Sequence, residues 1–257
     1  MLCDSFDPDR RALINPEDHY RPIPDFPRMC MGIFSRPVVE NLLERFGGEK
    51  LLDLTFCTGP VPVYRMRALG QEFALFLPHV GAAASASMME ELIARGGRYF
   101  VFFGSCGVLR KDIADGHLIL PTSAVREEGL SYHYLPPSEE VELDAPCVEA
   151  CRQAMKNLGL PYVEGKTWTI DAFYRETRGK VEARRNQGCL TVEMECAALA
   201  AVARFRGVKF AQFFYAADNL DAPQWDARGL NTLGTTVGDK CFGAALETGR
   251  LLAQSAD

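Results

Sequence analysis

Two carboxylates stand inside a segment that is otherwise apolar enough to be buried. Glu193 and Glu195 are the only charged residues in the stretch 189–203, which ends in an alanine-rich run. Burying an ionised carboxylate is costly unless a hydrogen bond or an opposite charge accompanies it. A carboxylate only accepts hydrogen bonds, so a ligand with adjacent hydroxyls, such as a ribose diol, would suit Glu195. The alternative is a helix N-terminus, whose dipole favours acidic side chains.

Glycine-rich segments elsewhere have the composition of an anion cradle. Gly104-Ser105-Cys106-Gly107 directly follows the aromatic run 99–103. Glycines let backbone N–H groups approach an anion closely, and the Ser105 hydroxyl adds a donor. Gly32, with Arg36 four residues later, has the same composition at the end of an earlier apolar run. The alternatives are a tight turn without a ligand and an ordinary surface arginine.

Asp218 and Phe173 also follow apolar strands. The carboxyl of Asp218 closes the run 210–217, where desolvation would raise its pKa and suit it to donate a proton. A cap for the turn after it is the alternative. Phe173 and Tyr174 are adjacent aromatics that would stack a flat base, or else serve as packing.

Composition excludes several classes of protein. The chain has 257 residues and a net charge of −6, which argues against nonspecific binding to nucleic acid. Its nine cysteines are scattered, without a Cys-x-x-Cys pair or zinc-finger spacing, so we predict reduced thiols, no metal and a cytoplasmic location. The N-terminus is acidic and lacks the apolar run of a signal peptide, and no stretch is long enough to span a membrane.

The order of elements predicts the fold class. Residues 1–28 are polar and proline-rich and are expected to form an N-terminal arm, and residues 29–257 a single domain. Strands and helices alternate through this domain, which predicts a three-layer α/β fold with a mostly parallel sheet covered on both faces. One strand is expected to end at Phe103 and another at Pro121. Ligands of such sheets gather at the carboxyl ends of the strands.

Taken in this order, the strand ends resemble those of the purine and uridine phosphorylase family. The most specific pieces are Val192-Glu193-Met194-Glu195, Gly104-Ser105-Cys106-Gly107 and Ala217-Asp218, and the likeness extends from about Gly32 to Arg250. The resemblance implies a central mixed sheet, partly barrel-like. It also implies reversible phosphorolysis of a ribonucleoside to free base and ribose 1-phosphate. Phosphate is then a co-substrate, no cofactor is needed, and a homo-oligomer, either a dimer or a trimer of dimers, is expected.

The resemblance also implies a role for each site residue. Glu195 would bind the ribose 2′- and 3′-hydroxyls, with Met194 packed under the sugar and Glu193 beside them. Phe173 would stack the base, and Asp218 would protonate the departing base. Phosphate would be held by three residues: Gly32, Arg36 and Ser105. His19 would be the arm residue that reaches the ribose 5′-hydroxyl in a neighbouring subunit.

Two departures from the family pattern leave alternatives open. Many members carry a phosphate-binding arginine where this chain has Phe102, so a phosphate-independent nucleosidase is one alternative. Arg126 and Arg175 are candidates for restoring the charge, and Arg65 and Arg67 are candidates for a second phosphate arginine, which members often take from a neighbouring subunit. A non-catalytic nucleoside-binding homologue is a further alternative. The residues with which uridine phosphorylases recognise a pyrimidine are not evident after Tyr174, so the base stays open between purine and pyrimidine.

Overall fold

A computed structural model describes residues 6–254, and Cys3 lies outside this range. The strands are Met29–Ile33 (β1), Glu49–Phe56 (β2), Gly59–Ala68 (β3), Gln71–Phe76 (β4), Tyr99–Val108 (β5), Leu118–Glu127 (β6), Glu140–Glu142 (β7), Tyr162–Ile170 (β8), Cys189–Glu193 (β9) and Lys209–Asn219 (β10). The α-helices are Pro16–His19 (α1), Arg36–Phe46 (α2), Ala82–Arg95 (α3), Ala145–Asn157 (α4), Arg178–Asn186 (α5), Cys196–Arg206 (α6) and Gly238–Gln254 (α7). Short 3₁₀ turns occur at Ser131–His133, Phe173–Arg175 and Leu230–Thr232.

Five strands close on themselves. β5 pairs with β10, β10 with β6, β6 with β8, β8 with β9, and β9 returns to β5. From β5 an open wing continues through β1, β4, β3 and β2. The β1–β4, β1–β5, β5–β10, β6–β8 and β8–β9 pairs are parallel, whereas the β9–β5, β10–β6 and β2–β3–β4 pairings are antiparallel. The predicted mixed, partly barrel-like sheet is confirmed.

Helices cover this sheet and bury a core rich in phenylalanine. α4 packs on α7, and these helices contact β10 and β5, while α3 packs on α6, which contacts β10 and β6. Phe73, Phe76, Phe100, Phe102 and Phe213 are fully buried in the main core. The flanking helices of the predicted α/β architecture are therefore present.

Strand β5 is longer than the sequence predicted. It continues to Val108, so Gly104-Ser105-Cys106-Gly107 lies within a strand and is not a turn. The reason is its pairing: β10 follows it residue by residue from Lys209–Tyr99 to Asn219–Val108, with one bulge between Ala216 and Asp218. The predicted end at Pro121 is also wrong, because β6 accommodates that proline at a register shift and runs on to Glu127.

Residues 6–28 lie against the domain. Ile23 donates its N–H to the Arg95 carbonyl at the end of α3, and the Arg28 carbonyl accepts from Arg98 and Tyr99. His19 is exposed on α1. Within residues 6–254, no helix is long and apolar enough to cross a membrane. The cysteines of this part of the chain are all free, and Cys57 is the exposed one among them.

Candidate active site

A cavity of about 1150 Å³ opens where the carboxyl ends of β5, β9 and β10 meet. Five of the residues singled out from the sequence line it: Ser105, Phe173, Glu193, Met194 and Asp218. They come from three ring strands (β5, β9 and β10), the link after β9 and the 3₁₀ turn after β8. The strand-end argument therefore predicted this cluster. Ser105 and Asp218, however, are among the last residues of their strands and do not lie beyond the strand ends.

Glu193 is held entirely by protein groups. Its Oε2 accepts hydrogen bonds from the backbone N–H groups of Glu195 and Cys196, both at 2.7 Å. Its Oε1 accepts from the Thr169 hydroxyl at 2.5 Å, and Thr169 in turn accepts from the N–H of Ala197. Burial raises the pKa of Glu193, and these donors act against that rise. The helix-terminus interpretation is thus correct for Glu193, which fixes the start of α6.

Glu195 is buried on the other side of Met194, off the wall of the cavity. Its Oε1 accepts a hydrogen bond from the Gly81 N–H at 2.6 Å, at the start of α3. Burial and the neighbouring Glu193 charge raise the pKa of its carboxyl. Glu195 is not among the residues that line the cavity, and its ribose-binding role stays a prediction.

Asp218 lies at the far end of β10, paired with Gly107 of β5. Its Oδ2 accepts a hydrogen bond from Trp225 Nε1 at 2.8 Å. Burial raises the pKa of Asp218, and the Trp225 hydrogen bond opposes the rise. The cap of the following turn is instead Asn219, whose Oδ1 accepts from the N–H of Asp221. The capping alternative for Asp218 is therefore wrong.

A second carboxyl, Glu176, shares the cavity with Asp218 and was missed in the sequence analysis. It directly follows the 3₁₀ turn that carries Phe173 and is half-buried. Burial and the charge of Asp218 raise the pKa of Glu176 to about 7. Its spacing from Phe173 was visible in the sequence, but only the fold shows that it faces the same space as Asp218.

Aromatic side chains on the cavity wall are unusually exposed. Phe173 and Tyr174 pack on each other with ring centroids 4.0 Å apart, and Tyr174 is 87% exposed. Trp225 is 63% exposed. Exposed aromatic surface gathered in one cavity is typical of a binding site for a flat ligand.

Gly32 does not form part of an open cradle. The Phe102 ring packs on it so closely that a Cβ at this position would stand 2.5 Å from a ring carbon. A Cβ at Gly104 would stand 2.9 Å from the Cβ of Phe34 and 3.2 Å from its ring, and the rings of Phe34 and Phe102 are 5.9 Å apart. Gly32 is also not among the residues that line the cavity, so its contact with phosphate stays a prediction.

Arg36 also lies off the cavity wall. Its side chain is 72% exposed and 3.9 Å from Glu40 on the next turn of α2. Ser105, by contrast, lines the cavity and lies beside Tyr215, its partner on β10. Of the three predicted phosphate residues, the structure brings only Ser105 to the cavity.

The other candidate arginines are engaged elsewhere or lie outside the cavity lining. Arg65 and Arg67 both bind Glu72 across the β3–β4 hairpin. Arg126 is buried, donates to Ser131, Pro136 and Ser138, and stacks on Tyr132. Arg175 is exposed and is not among the lining residues. The cations that do line the cavity are Lys111, Arg178 and Arg185, at its outer side.

Comparisons with known proteins agree with this fold. The family model described as the phosphorylase superfamily matches residues 38–240, so the chain belongs to that superfamily. Among curated relatives, the uridine phosphorylase of Escherichia coli strain K12 is 27% identical over 144 residues, covering 51% of this chain and 57% of the relative. A guanosine phosphorylase of Halorubrum lacusprofundi is 31% identical over 144 residues, covering 54% and 58%. The chain spans a little more than half the length of these relatives.

A solved structure extends the likeness of fold to most of the chain. The AMP nucleosidase of Bacteroides thetaiotaomicron VPI-5482 superposes with a TM-score of 0.73, covering 90% of this chain and 91% of that one. Its sequence identity is 18%, so the likeness concerns the fold. The resemblance read from the strand ends is confirmed at the level of the family.

Proposed function

We propose that this protein is a nucleoside phosphorylase, which cleaves the N-glycosidic bond of a ribonucleoside with phosphate and yields free base and ribose 1-phosphate. The observation that supports this most is the meeting of Ser105, Met194, Phe173 and Asp218 on one cavity. Curated relatives of this chain are named uridine, guanosine and purine nucleoside phosphorylases. The nucleoside, the phosphate, a homo-oligomer and a cytoplasmic location are parts of the same proposal.

The chemistry needs two opposite charges to be stabilised. As the glycosidic bond breaks, positive charge develops on the ribose and negative charge on the base. A phosphate beneath the sugar would stabilise the first, and a proton from Asp218 the second. Burial already raises the pKa of Asp218, which keeps more of it protonated for this step. Phe173 would stack the base, and Glu195 would bind the sugar diol.

A hydrolytic nucleosidase is a second candidate, and one specific observation favours it. Arg36 lies off the cavity wall, and the buried Phe102 stands where a phosphate-binding arginine was expected. Each lost charge-assisted hydrogen bond weakens anion binding by about 1.5–3 kcal/mol. With phosphate bound weakly, water would attack the same sugar carbon and the products would be free base and ribose.

The experiment that tests both candidates compares base release with and without phosphate. Inosine, guanosine, adenosine and uridine are incubated separately with the enzyme, and the free base and the sugar product are identified. Phosphate-dependent release with ribose 1-phosphate supports phosphorolysis, whereas equal release without phosphate supports hydrolysis. No release from any of the four, together with measurable binding, would refute both and favour a binding protein.

Arg36 offers a matched test of phosphate binding. If it turns toward phosphate during turnover, Arg36→Gln should raise the KM for phosphate about tenfold or more, because a charge-assisted bond is lost. Arg45→Gln is the control, since Arg45 lies on the same helix and pairs with Asp239. Equal KM values for phosphate in the two variants would remove Arg36 from the site.

A further inference from the structure

Trp225 has an unusual position for a tryptophan. It is 63% exposed, in the loop after β10, and it lines the cavity. Trp168, in contrast, is fully buried, and its Nε1 has no hydrogen-bond partner within residues 6–254. The ring of Trp225 therefore contributes little to the core, and its best-defined contact is the 2.8 Å hydrogen bond from Nε1 to Asp218 Oδ2.

The loop that carries Trp225 begins and ends in a backbone bridge. Asn219 and Asp226 exchange hydrogen bonds of 2.8 and 3.2 Å, which closes residues 219–226 into a compact loop. The Asn219 side chain accepts from the N–H of Asp221 at 2.9 Å, which fixes the first turn inside it. Trp225 is thus the residue next to the closing bridge, and its position relative to Asp218 is set by the end of β10.

The same loop is tied to two neighbouring elements. The Asp221 carboxylate accepts from the Lys111 N–H at 3.0 Å and pairs with Arg185 of α5 at 2.7 Å. The Pro223 carbonyl accepts from Arg178 at 2.9 Å, at the start of α5. Contacts on both sides hold the loop over the cavity, so the indole is oriented by the fold and is not a loose surface side chain.

The hydrogen bond from Trp225 determines which carboxyl oxygen of Asp218 carries the proton. The indole N–H only donates, so Oδ2 must accept from it in both protonation states. When the carboxyl is protonated, its carbonyl oxygen is the stronger acceptor, so Oδ2 keeps the indole hydrogen bond and Oδ1 carries the proton. Oδ1 lies on the Gly107 side, 3.3 Å from where a Cβ at that glycine would stand. The absence of a side chain at Gly107 leaves room for the carboxyl in this orientation.

We propose that Trp225 is a positioning residue of the active site, which fixes the Asp218 carboxyl through Oδ2 so that the proton on Oδ1 is directed to the leaving base. The inference rests on the proposed function of Asp218 as the proton donor. The proton passes from Oδ1 to the base nitrogen as the glycosidic electron pair moves onto the base, and Asp218 is left as a carboxylate that the indole N–H stabilises.

The test compares Trp225→Phe with Trp168→Phe. The first removes the donor and keeps an aromatic ring. The second is the matched control, because the N–H it removes donates to no described residue. Loss of a donor to the charged form raises the pKa of Asp218, so the alkaline limb of the kcat profile moves to higher pH in Trp225→Phe. We also expect kcat at low pH to fall about tenfold, because the proton is no longer directed.

A second readout is independent of turnover. The ¹³C signal of the Asp218 carboxyl, assigned by its loss in Asp218→Asn, is titrated in the free enzyme. We expect a higher midpoint in Trp225→Phe than in wild type, an unchanged midpoint in Trp168→Phe, and partial recovery in Trp225→His. The same midpoint and the same kcat profile in Trp225→Phe and wild type would overturn the proposal. Full activity of Asp218→Asn would instead contradict the proposed function, whatever the titration shows.

Discussion

The ring of Phe102 lies against Gly32, its direct partner across the β1–β5 pair, so closely that no side chain fits at residue 32. Phe102 is fully buried among Phe34, Phe76 and Phe210, so its ring cannot swing away. The glycine is thus explained by packing. Phe102 also stands where the sequence resemblance led us to expect a phosphate-binding arginine, and its burial keeps this position apolar.

Gly32→Ala should destabilise the fold. A Cβ 2.5 Å from a ring held on all sides forces either the ring or the strand to move, at a cost of about 1–3 kcal/mol. Urea denaturation measures the free energy of unfolding. Gly243→Ala is the control, because a Cβ there meets nothing closer than 3.9 Å and helix α7 should gain about 0.5–1 kcal/mol. Equal effects of the two variants would refute the packing explanation.

Glu193→Gln should weaken both stability and turnover. The carboxylate accepts from two backbone N–H groups and a hydroxyl, and an amide must turn an NH₂ group toward one set of these donors. We expect a loss of about 1–3 kcal/mol in the free energy of unfolding, as for an unsatisfied buried group. Chemical denaturation and kcat are the measurements. A variant as stable and active as wild type would show that α6 does not need this cap.

The sequence predicted the elements better than their lengths. Helix α6 and the strand before it follow from local periodicity, and Ser105, Met194 and Asp218 could be grouped because strand ends meet at one edge of a sheet. The length of β5 depends on continuous pairing with the distant strand β10, which no local pattern reveals. Trp225 and Glu176 lie after strands, in segments whose direction only the folded chain defines.

Glu195→Ala should remove discrimination between ribose and 2′-deoxyribose. If Glu195 binds the diol, wild-type kcat/KM should be higher for a ribonucleoside than for its 2′-deoxy analogue. The variant should lose about 100-fold on the ribonucleoside, since each hydrogen bond to a charged group contributes about 1.5–3 kcal/mol. The ratio between the two substrates should then approach one, as a double-mutant cycle requires. An unchanged ratio would mean that Glu195 only binds Gly81 and stabilises the fold.

The raised pKa of Glu176 predicts that the free energy of unfolding depends on pH. Its pKa is raised to about 7 in the folded protein, so the folded state holds the proton more tightly than the unfolded chain does. The contribution of Glu176 to stability is therefore full at low pH and is lost as pH rises toward and through 7. In Glu176→Gln this loss should be absent when urea denaturation is compared at pH 5 and pH 8. Glu44→Gln, on an exposed face of α2, is the control and should behave as wild type.

Asp218→Asn tests the central claim most directly. The amide keeps the size of the side chain and can still accept from Trp225, but it cannot donate a proton as the carboxylic acid does. With the nucleoside that wild type cleaves fastest, single-turnover release of free base by Asp218→Asn should fall at least about 100-fold, the contribution of a positioned general acid. Asp53→Asn, on β2 and away from the cavity lining, should retain the wild-type rate. Base release by Asp218→Asn at the wild-type rate would contradict the assignment of this cavity as the catalytic site.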